Sequence, residues 1–310
     1  MTLKIPLIDN SNSISSVNAV GGSGNSDIGI IDSSMFCSQR KVCSGEGIVI
    51  ANECIADFTF KLSIAVEGNF PVVRAGQFIM IRLANNIDLL LGRPLAIYRV
   101  RRNDTTCDNN DIIEVIYLVA GRVTSRFSEL TVGLRVRFWG PLGRGFDIEL
   151  SKHTILVAGG VGHTPFLMLA ENLSKVDSNR VTLLYGAKNK SRVVPLDDFV
   201  KIGVDVRVAT DDGSIGFKGL VTELVEHVYR KDELTHIFSC GASPMLKATF
   251  NVASKLKLPC IVSLETPMSC GIGLCYGCVV KIKDENEPNG WTYQRTCVEG
   301  PAFNAYKLFF

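Results

Sequence analysis

The hydrophobic rhythm of this chain changes twice along its length. Residues 1–45 are rich in Ser, Asn and Gly and carry no sustained apolar period, which predicts a flexible leader. Beyond it, Phe58, Phe60, Leu62, Ile64 and Val66 alternate with Thr59, Lys61, Ser63 and Ala65, the period-two signature of a half-buried strand. Strand-like runs come next at 77–83, 112–120 and 134–138, with turn signals at Gly68-Asn69 and Asn109-Asn110. Several short strands and no long helix before residue 150 predict a small antiparallel barrel over 46–150. Gly140-Pro-Leu-Gly-Arg-Gly-Phe146 reads as a turn-rich link to a second domain. At Thr154 the rhythm changes again. Ile155-Leu156-Val157-Ala158 is an apolar run suited to a buried parallel strand, followed by a glycine turn and by Pro165, which opens a helix. Candidate strands at 181–185, 205–209 and 236–239 alternate with candidate helices at 165–176, 219–229 and 244–256. That order predicts a parallel α/β domain over 151–262, leaving 263–310 as a small C-terminal module.

Composition narrows the classes. A chain of 310 residues with 46% apolar and 21% charged residues can bury more than one core. The formal net charge of +2 points to neither nucleic acid nor an anionic membrane as partner. The most apolar window, 154–170, is broken by glycines, His163 and Pro165, so no membrane span is expected. With no signal or transit pattern in 1–45 and ten cysteines, the expected compartment is the reducing cytoplasm.

The strongest chemical signal is near the end. Cys270, Cys275 and Cys278 stand in C-x4-C-x2-C order and Cys297 comes after them, the ligand order of a plant-type [2Fe-2S] loop. Three ligands from one tight loop must converge, so Gly271, Gly273 and Gly277 are expected to turn with positive φ and aim N–H groups at sulfur. A four-cysteine zinc site and a disulfide knot are the alternatives, although such zinc sites usually pair two C-x2-C knuckles and disulfides need an oxidising compartment that nothing here suggests. Upstream, Arg93 before Pro94 offers a fixed guanidinium for a diphosphate and Tyr98 an aromatic wall, but Arg-Pro pairs are common and the motif is weak alone. Gly159-Gly160-Val161-Gly162 after a strand and before a helix is a geometry that puts pyrophosphate on backbone N–H groups. It departs from G-x-G-x-x-G at Pro165, and a mere tight turn remains the alternative. Cys240 closes the last strand of the α/β domain, where ligands bind such sheets, although a lone cysteine is more often structural. His153, His163, His227 and His236 show no metal-ligand spacing and read as structural or solvated.

Taken together, residues 46–310 resemble the electron transfer subunits of class B dihydroorotate dehydrogenases, within the ferredoxin reductase superfamily. The motifs run in the family's order: Arg93-Pro94-Leu95-Ala96-Ile97, Gly121-x-x-Thr124, Gly140 to Phe146, Ala158 to Gly162, and Thr210-Asp-Asp-Gly-Ser214 with Lys218-Gly219. Cys240-Gly-x-x-Pro-Met245, Ser263-Leu-Glu265, the cysteine loop and Thr296-Cys-Val-Glu-Gly-Pro-Ala-Phe303 complete the order. The resemblance implies FAD on the barrel, held by Arg93, Pro94, Leu95, Ala96, Ile116, Tyr117, Leu118, Val123 and Thr124. It implies NAD on the α/β domain at Gly159, Gly160 and Gly162, with Cys240 at the nicotinamide. It implies the cluster on the C-terminal module, with Cys270, Cys275, Cys278 and Cys297 as the expected ligands. The family usually has serine at Ala96 and glycine at Val123. The implied partner is an FMN-containing dihydroorotate dehydrogenase subunit in a heterotetramer of two of each. The alternative is the small subunit of an NAD(P)H:ferredoxin oxidoreductase or hydrogenase diaphorase, built from the same modules.

Overall fold

The computed structural model describes residues 42–84, 89–102, 110–148, 151–176 and 179–310. The expected leader, up to residue 41, lies outside them, as do Cys37, Cys107 and Asn109. Six strands form the first part: β1 (Cys43–Ala56), β2 (Thr59–Val66), β3 (Phe78–Leu83), β4 (Arg93–Arg101), β5 (Asp111–Leu118) and β6 (Arg135–Leu142). They close a barrel in the order β1-β2-β5-β4-β3-β6, antiparallel throughout. The alternation read from sequence is why it closes. Leu62, Ile64 and Val66 point inward onto Ile79, Ile81, Ile97, Ile113, Val115 and Val136. The short helix α1 (Arg122–Ser128) adds Val123 and Phe127 to that interior.

Three expectations need correction. Cys43 already belongs to β1, inside the segment expected as leader. This strand pairs with both β2 and β6 but buries only alternate parts of itself, so its apolar signal is faint. Phe58 is not a strand residue: it turns between β1 and β2 at φ 58, with its ring under the Arg192 guanidinium at 4.5 Å. The turn-rich link starts as strand, since Gly140 pairs with Cys43 and Leu142 with Phe78 before the chain turns at Gly143.

The second part contains β7 (His153–Gly159), α2 (Phe166–Leu173), β8 (Arg180–Ala187), α3 (Asp197–Lys201), β9 (Asp205–Thr210) and β10 (Phe217–Lys218). It continues with α4 (Leu224–Val228), β11 (Thr235–Cys240), α5 (Ser243–Leu256) and β12 (Cys260–Ser263). These strands make a parallel sheet in the order β10-β9-β8-β7-β11-β12. Phe166, Leu167 and Leu173 of α2 pack over one face, and Leu246 and Ala253 of α5 over the other. The C-terminal segment forms the hairpin β13 (Val279–Lys283) and β14 (Trp291–Arg295), then sends β15 (Ala302–Asn304) back as an antiparallel edge on β12. The boundary at 263 is therefore crossed by the sheet itself.

The barrel is bolted to the α/β part through β4. Tyr98 donates its hydroxyl to Asp198 of α3 at 2.9 Å, and Arg99 donates to Glu171 of α2 at 3.0 Å. The Phe146 ring wedges between Phe166 and Phe238. Among the described residues, no helix is long and apolar enough to cross a membrane.

Candidate functional site

The cysteine loop rests on the barrel. Trp139 of β6 donates its indole N–H to the carbonyl of Cys270 at 2.8 Å, and Phe78, Met80 and Leu142 pack with buried Cys278 and Cys297. A Cβ on Gly271 would lie 2.6 Å from Met80 Cγ, and one on Gly273 would lie 2.6 Å from Val298 Cγ2, so close approach as well as positive φ requires glycine at both. The third left-handed residue is Tyr276 at φ 54, not Gly277. Gly277 instead aims its N–H at Cys275 Sγ, 3.5 Å away.

Among the described residues, no three Cys, His, Asp or Glu side chains converge on a single ion position. Cys278 donates to Cys297 at 3.2 Å. Three cysteines from one tight loop and a fourth from a later segment, rather than two C-x2-C knuckles, suit an iron-sulfur cluster better than a structural zinc. Burial alone would raise the Cys270 thiol. Hydrogen bonds from the backbone of Cys275, Ile272 and Leu274 and from the Cys275 side chain outweigh it and bring it down to about 6. Burial and its bond with Cys278 push Cys297 up to about 12, the behaviour of a buried thiol that needs a metal to ionise. The donor set thus fits the iron-sulfur group.

The barrel segments meet on neighbouring strands. Ile97 pairs with Val115, which sets Arg93-Pro94-Leu95-Ala96 on β4 beside Ile116-Tyr117-Leu118 on β5. Arg93 is half-buried, donates only to the carbonyls of Leu91 and Gly92, and forms no ion pair among the described residues. A guanidinium with no carboxylate partner among the described residues suits a diphosphate. Thr124 holds the 120–124 turn, its hydroxyl accepting from the N–H groups of Ala120 and Gly121. Two side chains point away from that face. Tyr117 stacks on Phe60 inside the barrel, and Val123 is buried there, so both offer only backbone to a ligand. Tyr98 is not an exposed aromatic wall. Its parity on β4 turns the ring into the α/β core, and the Asp198 hydrogen bond holds it there.

The glycine loop leaves β7 as a short 3-10 turn, Gly160–His163, before Pro165 caps α2. Gly160 has φ +52 and open space where a Cβ would stand, a cradle suited to a nucleotide phosphate. A Cβ at Gly162 would strike the Cys240 carbonyl oxygen at 2.1 Å, so this glycine lets the turn after β7 pack onto the end of β11. Cys240 lies in register with Ala158 and Ser263 at the carboxyl end of the sheet. Burial pushes its thiol up to about 12, with the Ser263 hydroxyl acting against that and Glu265 adding to it.

Several residues escaped the sequence reading. Arg295 donates to the Gly273 carbonyl at 3.2 Å, lies over the Tyr276 ring and pairs with Glu299 at 2.6 Å. The i,i+4 spacing of Arg295 and Glu299 around Cys297 was the available signal. Trp139 and Met80 carried none, because only the folded barrel brings them under the loop.

Residues 265–309 match the model of the iron-sulfur cluster binding domain of dihydroorotate dehydrogenase B, and 156–250 match an oxidoreductase NAD-binding domain. The chain is 33% identical to the dihydroorotate dehydrogenase B (NAD(+)) electron transfer subunit of Desulforamulus reducens, over 84% of this chain and 96% of that protein. The same subunit of Streptococcus pneumoniae is 36% identical over 82% and 96% of the two chains. Among solved structures, an NADH-dependent reduced ferredoxin-NADP oxidoreductase is similar with TM-score 0.72 and 27% identity, covering 85% of this chain and 89% of that one. A cytochrome P450 reductase of Amycolatopsis shares the fold, with TM-score 0.60 at 20% identity over 71% of this chain and 68% of that one. The ferredoxin reductase-like architecture, the paired thiols of Cys278 and Cys297 and relatives aligned along nearly their whole length place this chain in the family of dihydroorotate dehydrogenase B electron transfer subunits.

Proposed function

We propose that this chain delivers electrons taken from dihydroorotate by a partner subunit to NAD+, serving pyrimidine biosynthesis in the cytoplasm. When bound, the cluster carries electrons singly, and FAD exchanges them singly with iron and in pairs with nicotinamide. Cys270, Cys275, Cys278 and Cys297 hold the cluster. Arg93 meets the FAD diphosphate, while the backbone of Leu95, Ala96, Ile116, Tyr117, Leu118, Val123 and Thr124 and the ring of Pro94 line the flavin. Gly159, Gly160 and Gly162 receive NAD, and Cys240 lies against its nicotinamide, keeping a neutral thiol there. The partner carries FMN, and two copies of each chain assemble.

One observation carries this reading. Phe78 and Met80, which pack with Cys278 and Cys297, pair in β3 with Ala96 and Pro94 in β4. The strand on which the cysteine site packs is thus the immediate neighbour of the proposed flavin segment, at the ~5 Å spacing of adjacent strands. Co-expression with an FMN-containing dihydroorotate dehydrogenase subunit of the same genome tests it. The two chains should co-purify and reduce NAD+ with dihydroorotate, while this chain alone is inert toward dihydroorotate. The similarity to a reduced ferredoxin-NADP oxidoreductase favours a second reading, the small subunit of a ferredoxin-linked reductase. Electron transfer to ferredoxin but never from dihydroorotate would select it.

A further inference from the structure

His163 is fully buried where the glycine loop turns into α2, and its ring is clasped by three others. It meets Tyr98 edge-on at 6.0 Å, Tyr185 at 5.7 Å and Phe199 at 6.3 Å. Its Nδ1 lies 2.9 Å from the Gly160 carbonyl, and an acceptor there requires Nδ1 to carry the proton. Its Nε2 is buried with no hydrogen-bond partner among the described residues. A buried polar atom left unpaired is a cost that apolar core residues avoid. What the histidine adds over an apolar ring here is the bond from its other nitrogen. That nitrogen acts on Gly160, the residue at φ +52 whose outer side is open. The ring acts on Tyr98, two residues after Ala96 on β4.

We propose that His163 is a positioning residue for hydride transfer: Nδ1–H fixes the dinucleotide loop at Gly160, and the ring, seated on Tyr98, sets that loop's distance from the flavin strand. This rests on the reading of Gly159–Gly162 and Arg93–Ala96 as the two cofactor segments. The two functions separate by substitution. His163→Phe keeps a ring and loses the Gly160 bond. Since Nε2 has no partner among the described residues, it loses nothing else polar there. His163→Asn keeps a donor near Nδ1 and loses the ring.

The test measures NAD+ affinity of the oxidised, FAD- and iron-loaded protein by calorimetry, and flavin reduction by saturating NADH by stopped flow. His163→Phe should raise the Kd for NAD+ about tenfold, the worth of one buried hydrogen bond. His163→Asn should hold Kd within about twofold while slowing flavin reduction about tenfold, since misplacement is costly to a transfer step. Tyr98→Leu, which leaves His163 in place, should reproduce the slow transfer with normal Kd and keeps the test decisive if either histidine variant fails to fold. Wild-type Kd in the Phe variant together with wild-type rates in the Asn and Tyr98 variants overturns the proposal. So does loss of FAD in step with NAD affinity, which marks a general packing role. Gly160→Val fills the open side of the loop. If NAD+ binds that variant normally, the loop reading itself is wrong, a failure distinct from that of His163.

Discussion

Cys240, His153 and His163 show how burial sets charge at single residues. With its thiol pushed up to about 12, Cys240 stays neutral across the working range and offers bulk and a weak dipole rather than a thiolate. Cys240→Ala should slow flavin reduction by NADH about tenfold or more through misplacement, and leave FAD content unchanged. An unchanged rate in stopped flow would return Cys240 to packing alone. Burial lowers His153, helped by Arg180, and burial lowers His163, each to about 4 from 6.5. Between those values the unfolded chain binds more protons, so acid favours unfolding. The stability from keeping both rings neutral is full above about pH 6.5 and drains as pH falls toward about 4. Melting temperature should fall through that window, and His153→Asn should flatten the slope even as it lowers the plateau. An identical slope in the variant would sink the assignment. The positive φ at Gly271 and Gly273 was legible in the sequence, because close backbone approach ties residue type to spacing, whereas Gly277, expected to turn the same way, leaves that conformation to Tyr276. The placements of Tyr98 and Tyr276 were not legible. The face of Tyr98 depends on where the α/β part docks, and the left-handed turn at Tyr276 sets its ring beneath an arginine nineteen positions away in sequence.

At the level of elements, Arg295 joins two segments far apart in sequence. One guanidinium holds the Gly273 carbonyl of the cysteine loop and Glu299 of the closing turn that carries Cys297. A planar fork suits this and an ammonium does not. Arg295→Gln should therefore speed chelator-driven iron loss about tenfold, the usual scale for a residue supporting metal ligands, with Arg295→Lys recovering only part. Cys275→Ser marks the extreme, removing iron while flavin stays. Equal bleaching rates for Arg295→Gln and wild type, followed by visible absorbance, would show the clamp to be dispensable. Strands with one buried face were readable from alternation, as β2 was. The long β1 was not, since barrel closure rather than its own apolar pattern defines it, and neither was β15, three residues whose only warrant is the open edge of β12.

For the molecule as a whole, both part types were legible while their docking was not, because Tyr98–Asp198 and Arg99–Glu171 join residues about 70 to 100 positions apart. The exposed apolar residues of the cysteine loop are Ile272, Leu274 and Tyr276, with Leu274 at 77% exposure. An electron donor has to come near this loop, and apolar side chains there offer contact area for a partner. Leu274→Glu should weaken dihydroorotate-driven NAD+ reduction about tenfold in the assembled complex, as loss of a central contact does, and spare NADH oxidation by dyes. Equal losses in both assays would place the damage inside this chain. The bed under that loop also has a history in time. Met80, Trp139 and Leu142 are synthesised more than a hundred residues before Cys270, and domains fold as they emerge. By that order the barrel wall has the chance to form before Cys270 leaves the ribosome. The cysteines arrive last.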